Sequence, residues 1–274
     1  MRPLIGGLVR RFLAEPRARI CADLDSPAAT IQHREMIRSK PSLRMIYDDF
    51  ADLLRDVLGR SPRGPVVEIG SGSGLLKEQI AGVITSDMCG FPWIDVVCDA
   101  RTLPFRSESI SVFYLQGVFH HIQDVERFLD EVDRCLQPGG RIFMIEPHNT
   151  PWSSFLLRHF HHEPFDPSAA TWAFEEGGRL SQSNQALPWI VFVRDRARFE
   201  VRFPRLRIVR REPYGPFQYA LSGGLAVRQL VPTVGWPLVR FAERLCRPLL
   251  SRLGYFLLIE LLKTDPAVSF RDNG

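Results

Sequence analysis

The sequence predicts an α/β fold, doubly wound around a mostly parallel sheet. Residues 1–61 are expected to form an N-terminal helical cap and 62–274 the main domain. That domain has a lid at about 148–186, after the fifth strand, and a helical insertion at about 224–253, before the last. Three observations carry this. Apolar runs of strand length alternate with segments of helical period. The connections are short, which favours parallel strands covered by helices on both faces. Residues 66–74 read VVEIGSGSG, a strand-like run (Val66, Val67, Ile69) that opens on Gly70, Gly72 and Gly74. Such strand-to-helix turns cradle nucleotides in several unrelated ways.

Residues 1–25 are basic and weakly patterned, and no element is assigned there. Leu43, Ile46, Tyr47, Phe50, Leu53, Leu54, Val57 and Leu58 recur at helical spacing, which predicts an amphipathic helix ending near Gly59. After a breaker-rich linker at 60–65, Val66–Gly70 is the first strand and Leu75–Val83 a helix. Val83–Asp87, Ile94–Cys98 and Ile110–Leu115 are the next strands. Gly90 and Pro92 leave only a turn where a second crossover helix would sit. Asp124 can cap a helix bearing Val125, Phe128, Leu129, Val132, Cys135 and Leu136, and Pro138-Gly139-Gly140 is expected to stop it before a fifth strand, Arg141–Glu146. The pattern then breaks for about forty residues, the length of a functional lid. A helix at Leu187–Arg198, a strand at Leu206–Glu212, Pro-punctuated helices at Leu225–Leu253 and a strand at Tyr255–Leu262 complete the chain.

At 274 residues with 45% hydrophobic composition the chain can bury one core plus an appended subdomain. A formal charge of +4 gives no warrant for a nucleic-acid binder. The five cysteines form no C-x-x-C pair, so reduced thiols in a cytoplasmic protein are expected. Leu4–Val9 is too short for a signal-peptide core, and no apolar run approaches the ~20 residues that cross a bilayer.

Glu68, two residues before the first glycine, argues against a pyrophosphate at this turn and for a cationic ligand. Asp87 ends the second strand, where a carboxylate can accept from ribose hydroxyls, and Asp99 ends the third, where it can accept from an adenine amino group. With VVEIGSGSG, SD, CDARTLPF and QGVFHHIQDVERFLDEVDRCLQPGGRIFMIEP in this order, residues 62–148 resemble the class I S-adenosylmethionine-dependent methyltransferases. The resemblance implies a Rossmann-like fold and S-adenosyl-L-methionine as cofactor. Glu68, Gly70, Gly72 and Gly74 would surround its methionine part, Asp87 the ribose, Asp99 and Ala100 the adenine, and Gln116 or Gly117 would line the pocket behind the sulfonium. Glu146-Pro147 is similar to the small-molecule branch, and the Asn-Pro-Pro-aromatic motif of amino-methylating enzymes is absent.

Six of the seven histidines lie between His120 and His162, beyond the ends of strands four and five. A hydroxyl acceptor benefits from a base, so His120 or His121 is the candidate catalytic group. His162, Glu163, Asp166 and Asn184 are candidate substrate ligands on a polar lid. The run His159 to Asp166 fits no familiar metal spacing, and no metal site is expected. Arg228, Arg240, Arg244, Arg247 and Arg252 interleave with large apolar residues, a pattern that suits an anionic membrane surface, with a packed insertion or homodimer face as the alternative. HREMIRSK, KPSLRMIYDDF and the turn Ser222–Gly224 resemble methyltransferases of polysaccharide or lipid-linked glycan pathways. The expected function is O-methylation of a small-molecule or lipid-linked acceptor. The alternatives are a silent cofactor-binding protein and a nicotinamide-dependent oxidoreductase; Glu68 and the lack of a Tyr-x-x-x-Lys pair argue against the latter.

Overall fold

The computed structural model describes residues 15, 25–161, 163–174, 178, 182–225 and 227–265. Helices α1 (Pro27–Ser39) and α2 (Pro41–Gly59) lead into β1 (Val66–Ile69), α3 (Leu76–Gln79), β2 (Val83–Asp87), β3 (Val96–Val97) and β4 (Ile110–Gln116). Then come α4 (Val125–Cys135), β5 (Leu136–Pro147), α5 (Pro151–Phe160), α6 (Leu187–Trp189) and α7 (Arg196–Arg202). The chain finishes with β6 (Leu206–Tyr214), α8 (Gln218–Ser222), α9 (Trp236–Leu245), α10 (Leu250–Leu253) and β7 (Phe256–Lys263).

The strands form one seven-stranded sheet in the order β3-β2-β1-β4-β5-β7-β6. β1 to β5 pair in parallel, and β7 is antiparallel to both β5 and β6. Alternation along the central strands sorts the core into two layers. Phe113, Leu115, Ile142 and Met144 face α4, whose Val125, Phe128, Leu129, Val132 and Cys135 are fully buried. Val112, Tyr114, Phe143 and Ile145 face α2 through Leu43, Ile46, Phe50, Leu54 and Val57. Each such large side chain contributes about 1.5–3 kcal/mol by leaving water. Asp124 caps α4 by accepting from the Arg127 N–H, as its position predicts.

Several elements differ from the sequence reading. The helix after the glycine turn is one turn long, because Ile80 is already extended and Gly82 takes a positive φ of 81° that carries the chain into β2. The third strand shrinks to Val96–Val97. Pro138–Gly140 does not end an element; it bulges inside β5, where Leu136 and Arg141 oppose Ile110 and Val112. Part of the lid is regular: α5 starts at Thr150, whose side chain accepts from Ser153 N–H while the Ser153 hydroxyl accepts from Thr150 N–H. Its period is obscured in the sequence because two phenylalanines on it, Phe155 and Phe160, stay about half exposed outside the core. The helix expected at 187–198 is broken by a π-helical turn, Ile190–Arg194, and Arg211 donates to the Phe192 carbonyl there.

Candidate active site: a glycine-turn cleft joined to an aromatic cavity

Strand order reverses between β1 and β4, and ligands of open α/β sheets bind outside the carboxyl ends of strands at such a point. A cleft of about 280 Å³ lies there. Its lining includes Glu68, Gly70, Gly72, Asp87, Asp99, Ala100, Gln116 and Gly117, so the structure brings these expected residues to one place. Gly74 stands just behind, where an added Cβ would run into the Trp93 ring. Trp93 donates to the Gly72 carbonyl at 2.8 Å and stacks on Phe91, with the Arg34 guanidinium 4.3 Å from its ring centre.

The acids at this cleft differ in state. Glu68 is 7% exposed, and its Oε2 has no hydrogen-bond partner. Burial pushes its pKa up to about 8. A buried carboxyl with one oxygen lacking a donor beside a glycine turn suits a ligand bearing an ammonium. Asp87 is engaged: its Oδ2 accepts from Gly72 N–H at 2.9 Å and its Oδ1 from Cys89 N–H at 3.0 Å, which ties β2 to the turn. Asp99 is held by Arg101, with Nη2 2.7 Å from Oδ2, and that contact keeps its carboxyl below the usual range. Sequence reasoning missed this arginine two residues away. It also missed the cap's contribution, since Thr30, His33, Ile37 and Tyr47 line the cleft; at helical spacing Tyr47 reads simply as core.

Gln116, Gly117, His121, Tyr47, His33 and Leu225 also border a second cavity of about 750 Å³. Its walls are largely apolar and aromatic, with Phe50, Trp152, Phe160, Phe217, Tyr219 and Tyr255 among them, and no Lys or Arg lines it among the described residues. The polar corner is His120, His121, His161, Glu163 and Gln185. A 3₁₀ turn, Phe119–His121, places the first two directly after β4. Glu146, completely buried at the end of β5, accepts from Val118 and Phe119 N–H through Oε1, both at 2.8 Å. Its Oε2 lies 2.7 Å from His120 Nδ1. His120 Nε2 lies 3.2 Å from Glu163 Oε2, and His121 Nε2 lies 3.6 Å from the same oxygen. Burial opposes a charged His120, yet its hydrogen bonds to Glu146 and Glu163 outweigh that and raise its pKa to about 9. Burial and the neighbouring His120 depress His121 to about 3.

Glu146 is the residue of this corner that sequence reading passed over. Its signal was available in the Glu-Pro at the end of the fifth strand, read there as a family mark rather than as a partner for His120. Asp166 and Asn184 are not among the lining residues of either cavity. Asn184 Oδ1 accepts from Asp166 and Ala186 N–H, and the Asp166 carboxylate accepts from Ser168, contacts that shape the lid segment. His162 lies outside the described residues.

A methyltransferase domain family matches residues 67–144. The chain is similar to a probable tRNA methyltransferase 9B of Mus musculus, 31% identical over 99 residues, which cover 31% of this chain and 22% of that protein. It is also similar to a demethylmenaquinone methyltransferase of Streptomyces avermitilis, 29% identical over 65 residues, covering 23% of this chain and 28% of that one. The chain spans less than a third of the length of the curated relatives it matches. Among solved structures, a putative methyltransferase complexed with the Haloferax volcanii Trm112 methyltransferase activator superposes with a TM-score of 0.49 at 15% identity, covering 90% of this chain and 100% of that one. Geranyl diphosphate C-methyltransferase from Streptomyces coelicolor A3(2) gives 0.46 at 15% identity, covering 92% and 88%. The family match runs from β1 through most of β5, the stretch that builds most of the glycine-turn cleft, and this part of the chain is similar to methyltransferase domains.

Proposed function

We propose that the protein transfers a methyl group from S-adenosylmethionine to an oxygen of an apolar small-molecule or lipid-linked acceptor. The observation that carries this is that the two cavities share Gln116, Gly117 and His121 in their walls. One is walled by acids and a glycine turn, the other by aromatic rings with a polar corner. The cofactor, when bound, supplies a methyl group on a sulfonium, an electrophile that needs chiefly an aligned nucleophile. Glu68 and the turn would hold its amino-acid part, Asp87 the ribose and Asp99–Ala100 the base. The aromatic walls orient an apolar acceptor and exclude water, while His120, His121 and Glu163 are the groups positioned to meet its nucleophile. The predominance of aromatic and apolar side chains among the described lining residues favours such an acceptor over a nucleic acid, whose phosphates need cations.

Calorimetry with S-adenosylhomocysteine tests the reading. Binding is expected, and Asp87→Ala should weaken it by about 1–3 kcal/mol through lost charge-assisted hydrogen bonds. Glu68 adds a pH signature. Its carboxyl is protonated below pH about 8 in the free cleft, and a cationic ligand favours the ionised form. Binding at pH 7 should therefore release a proton, and affinity should rise towards pH 8, by at most about tenfold per unit. Transfer of labelled methyl into a lipid extract of the host completes the test. NAD binding without S-adenosylhomocysteine binding would defeat the reading, and binding without transfer to any extract fraction would favour the silent binder.

We also propose that α9 and α10 touch an anionic membrane. Leu238, Phe241, Leu245 and Leu249 are 70%, 55%, 66% and 50% exposed, and Arg244, Arg247 and Arg252 are exposed beside them. Arg240 is already engaged with Asp49 at 2.7 Å, so it adds little to an outward charge. Each arginine near such a surface contributes on the order of 1 kcal/mol. The protein should co-sediment with phosphatidylglycerol vesicles at low salt, and Arg244→Glu with Arg247→Glu should release it. A wild type left in the supernatant at low salt would sink the idea.

A further inference from the structure

The histidine corner has a second property that the methyl-transfer reading leaves unexplained. His120, His121 and Glu163 each offer one ligand atom, a ring nitrogen or a carboxylate oxygen, and these all lie within 4.8 Å of one another, the only such metal-competent group among the described residues. Donor atoms in a tetrahedral shell with bonds of about 2.0–2.1 Å stand about 3.3 Å apart. The observed separations from Glu163 Oε2, 3.2 and 3.6 Å, are of that size. The sequence pattern hid this because the members come from two distant segments, and among the described residues Glu163 is the contributor from the His-rich run.

The surroundings fit the same role. Glu146 takes the Nδ1 side of His120, so the Nε2 lone pair of a neutral imidazole points at the group, the arrangement that orients metal-ligating histidines. Gln185 and Ser183 donate to Glu163 Oε2 at 2.9 and 3.2 Å and fix that carboxylate.

We propose that His120, His121 and Glu163 bind a divalent transition-metal ion, zinc being the one that two imidazoles and a carboxylate suit, with its open position facing the 750 Å³ cavity. This deepens the functional reading and rests on it only in assigning the open position to the acceptor's oxygen. The metal would hold that oxygen as a Lewis acid in line with the cofactor cleft.

Cobalt(II) is the probe. The full chain, stripped with a chelator and dialysed, is titrated with Co²⁺ while visible absorption and S-adenosylhomocysteine affinity are followed. One equivalent should bind with the intense bands of a low-symmetry site and be displaced by Zn²⁺. His120→Ala and Glu163→Gln should each weaken uptake at least 100-fold with cofactor affinity unchanged. Glu146→Gln should weaken it 10–100-fold by presenting an N–H to His120 Nδ1. Glu163→Gln is the variant least exposed to misfolding, since Glu163 sits at the cavity wall and its replacement is isosteric. A wild type that takes up no stoichiometric Co²⁺, or a Glu163→Gln protein that binds it as tightly, overturns the metal site. S-adenosylhomocysteine binding is read separately, so its failure strikes the functional reading alone.

Discussion

Replacing Glu146 with alanine is expected to lower stability by about 3–5 kcal/mol, the scale for removing one partner from a buried charged network. Glu146 is inaccessible to solvent, and its two oxygens serve the Val118 and Phe119 amides and the His120 ring. Without it two buried donors, Phe119 N–H and the His120 ring, and the part-buried Val118 N–H lose their acceptor, at about 1–3 kcal/mol for each buried one before relaxation. For a chain of this size the melting temperature should fall by roughly 10 °C. Glu146→Gln keeps an acceptor for both amides and should lose much less stability. A drop below about 1 kcal/mol in Glu146→Ala, measured by urea unfolding, would show that water replaces the carboxylate and that the corner is wetter than its burial indicates.

Gly74→Ala should be the most damaging single methyl in the cofactor cleft. Gly74 has φ of 62°, a left-handed conformation that costs an alanine about 1–2 kcal/mol. Its Cβ would also enter the Trp93 ring, forcing away the side chain that holds the Gly72 carbonyl and supports Arg34. Overpacking adds about 1–3 kcal/mol. The expected sum is about 2–5 kcal/mol, together with at least tenfold weaker S-adenosylhomocysteine binding as the turn shifts. Gly82→Ala is the control: its φ of 81° is equally left-handed, but an added Cβ meets nothing within 4 Å. It should show the backbone penalty alone and leave the cofactor cleft intact. Equal losses in both variants would mean that Trp93 simply moves aside.

The glycine turn was legible because everything it needs is local. A strand run, an acid and three glycines within nine residues set the backbone path and bring Glu68, Gly70 and Gly72 to the cleft wall. The same holds for Asp87 at a strand end, for α4 with its Asp124 cap and for the alternating core strands, whose periods report which face is buried. The turn that replaces a second crossover helix was equally plain from Gly90 and Pro92. Legibility failed where a segment's environment is set by a distant partner. The half-exposed phenylalanines disguised α5, and the bulge at Pro138–Gly140 exists because β4 holds the strand on both sides of it.

By itself, then, the sequence determined the α/β architecture and the position of the cofactor turn, since hydrophobic period and backbone stereochemistry act over a few residues. Only the tertiary structure decided that His120, Glu146 and Glu163 meet, 26 and 43 residues apart along the chain from His120. It decided too that the N-terminal helices wall the cofactor cleft and that Asp166 and Asn184 shape a loop and do not line a cavity. The physical reason is that β4 and β5 pair in parallel, so their carboxyl ends fall side by side, and the segment after α5 packs back over both. That convergence is set by strand order and packing, which no short-range pattern encodes.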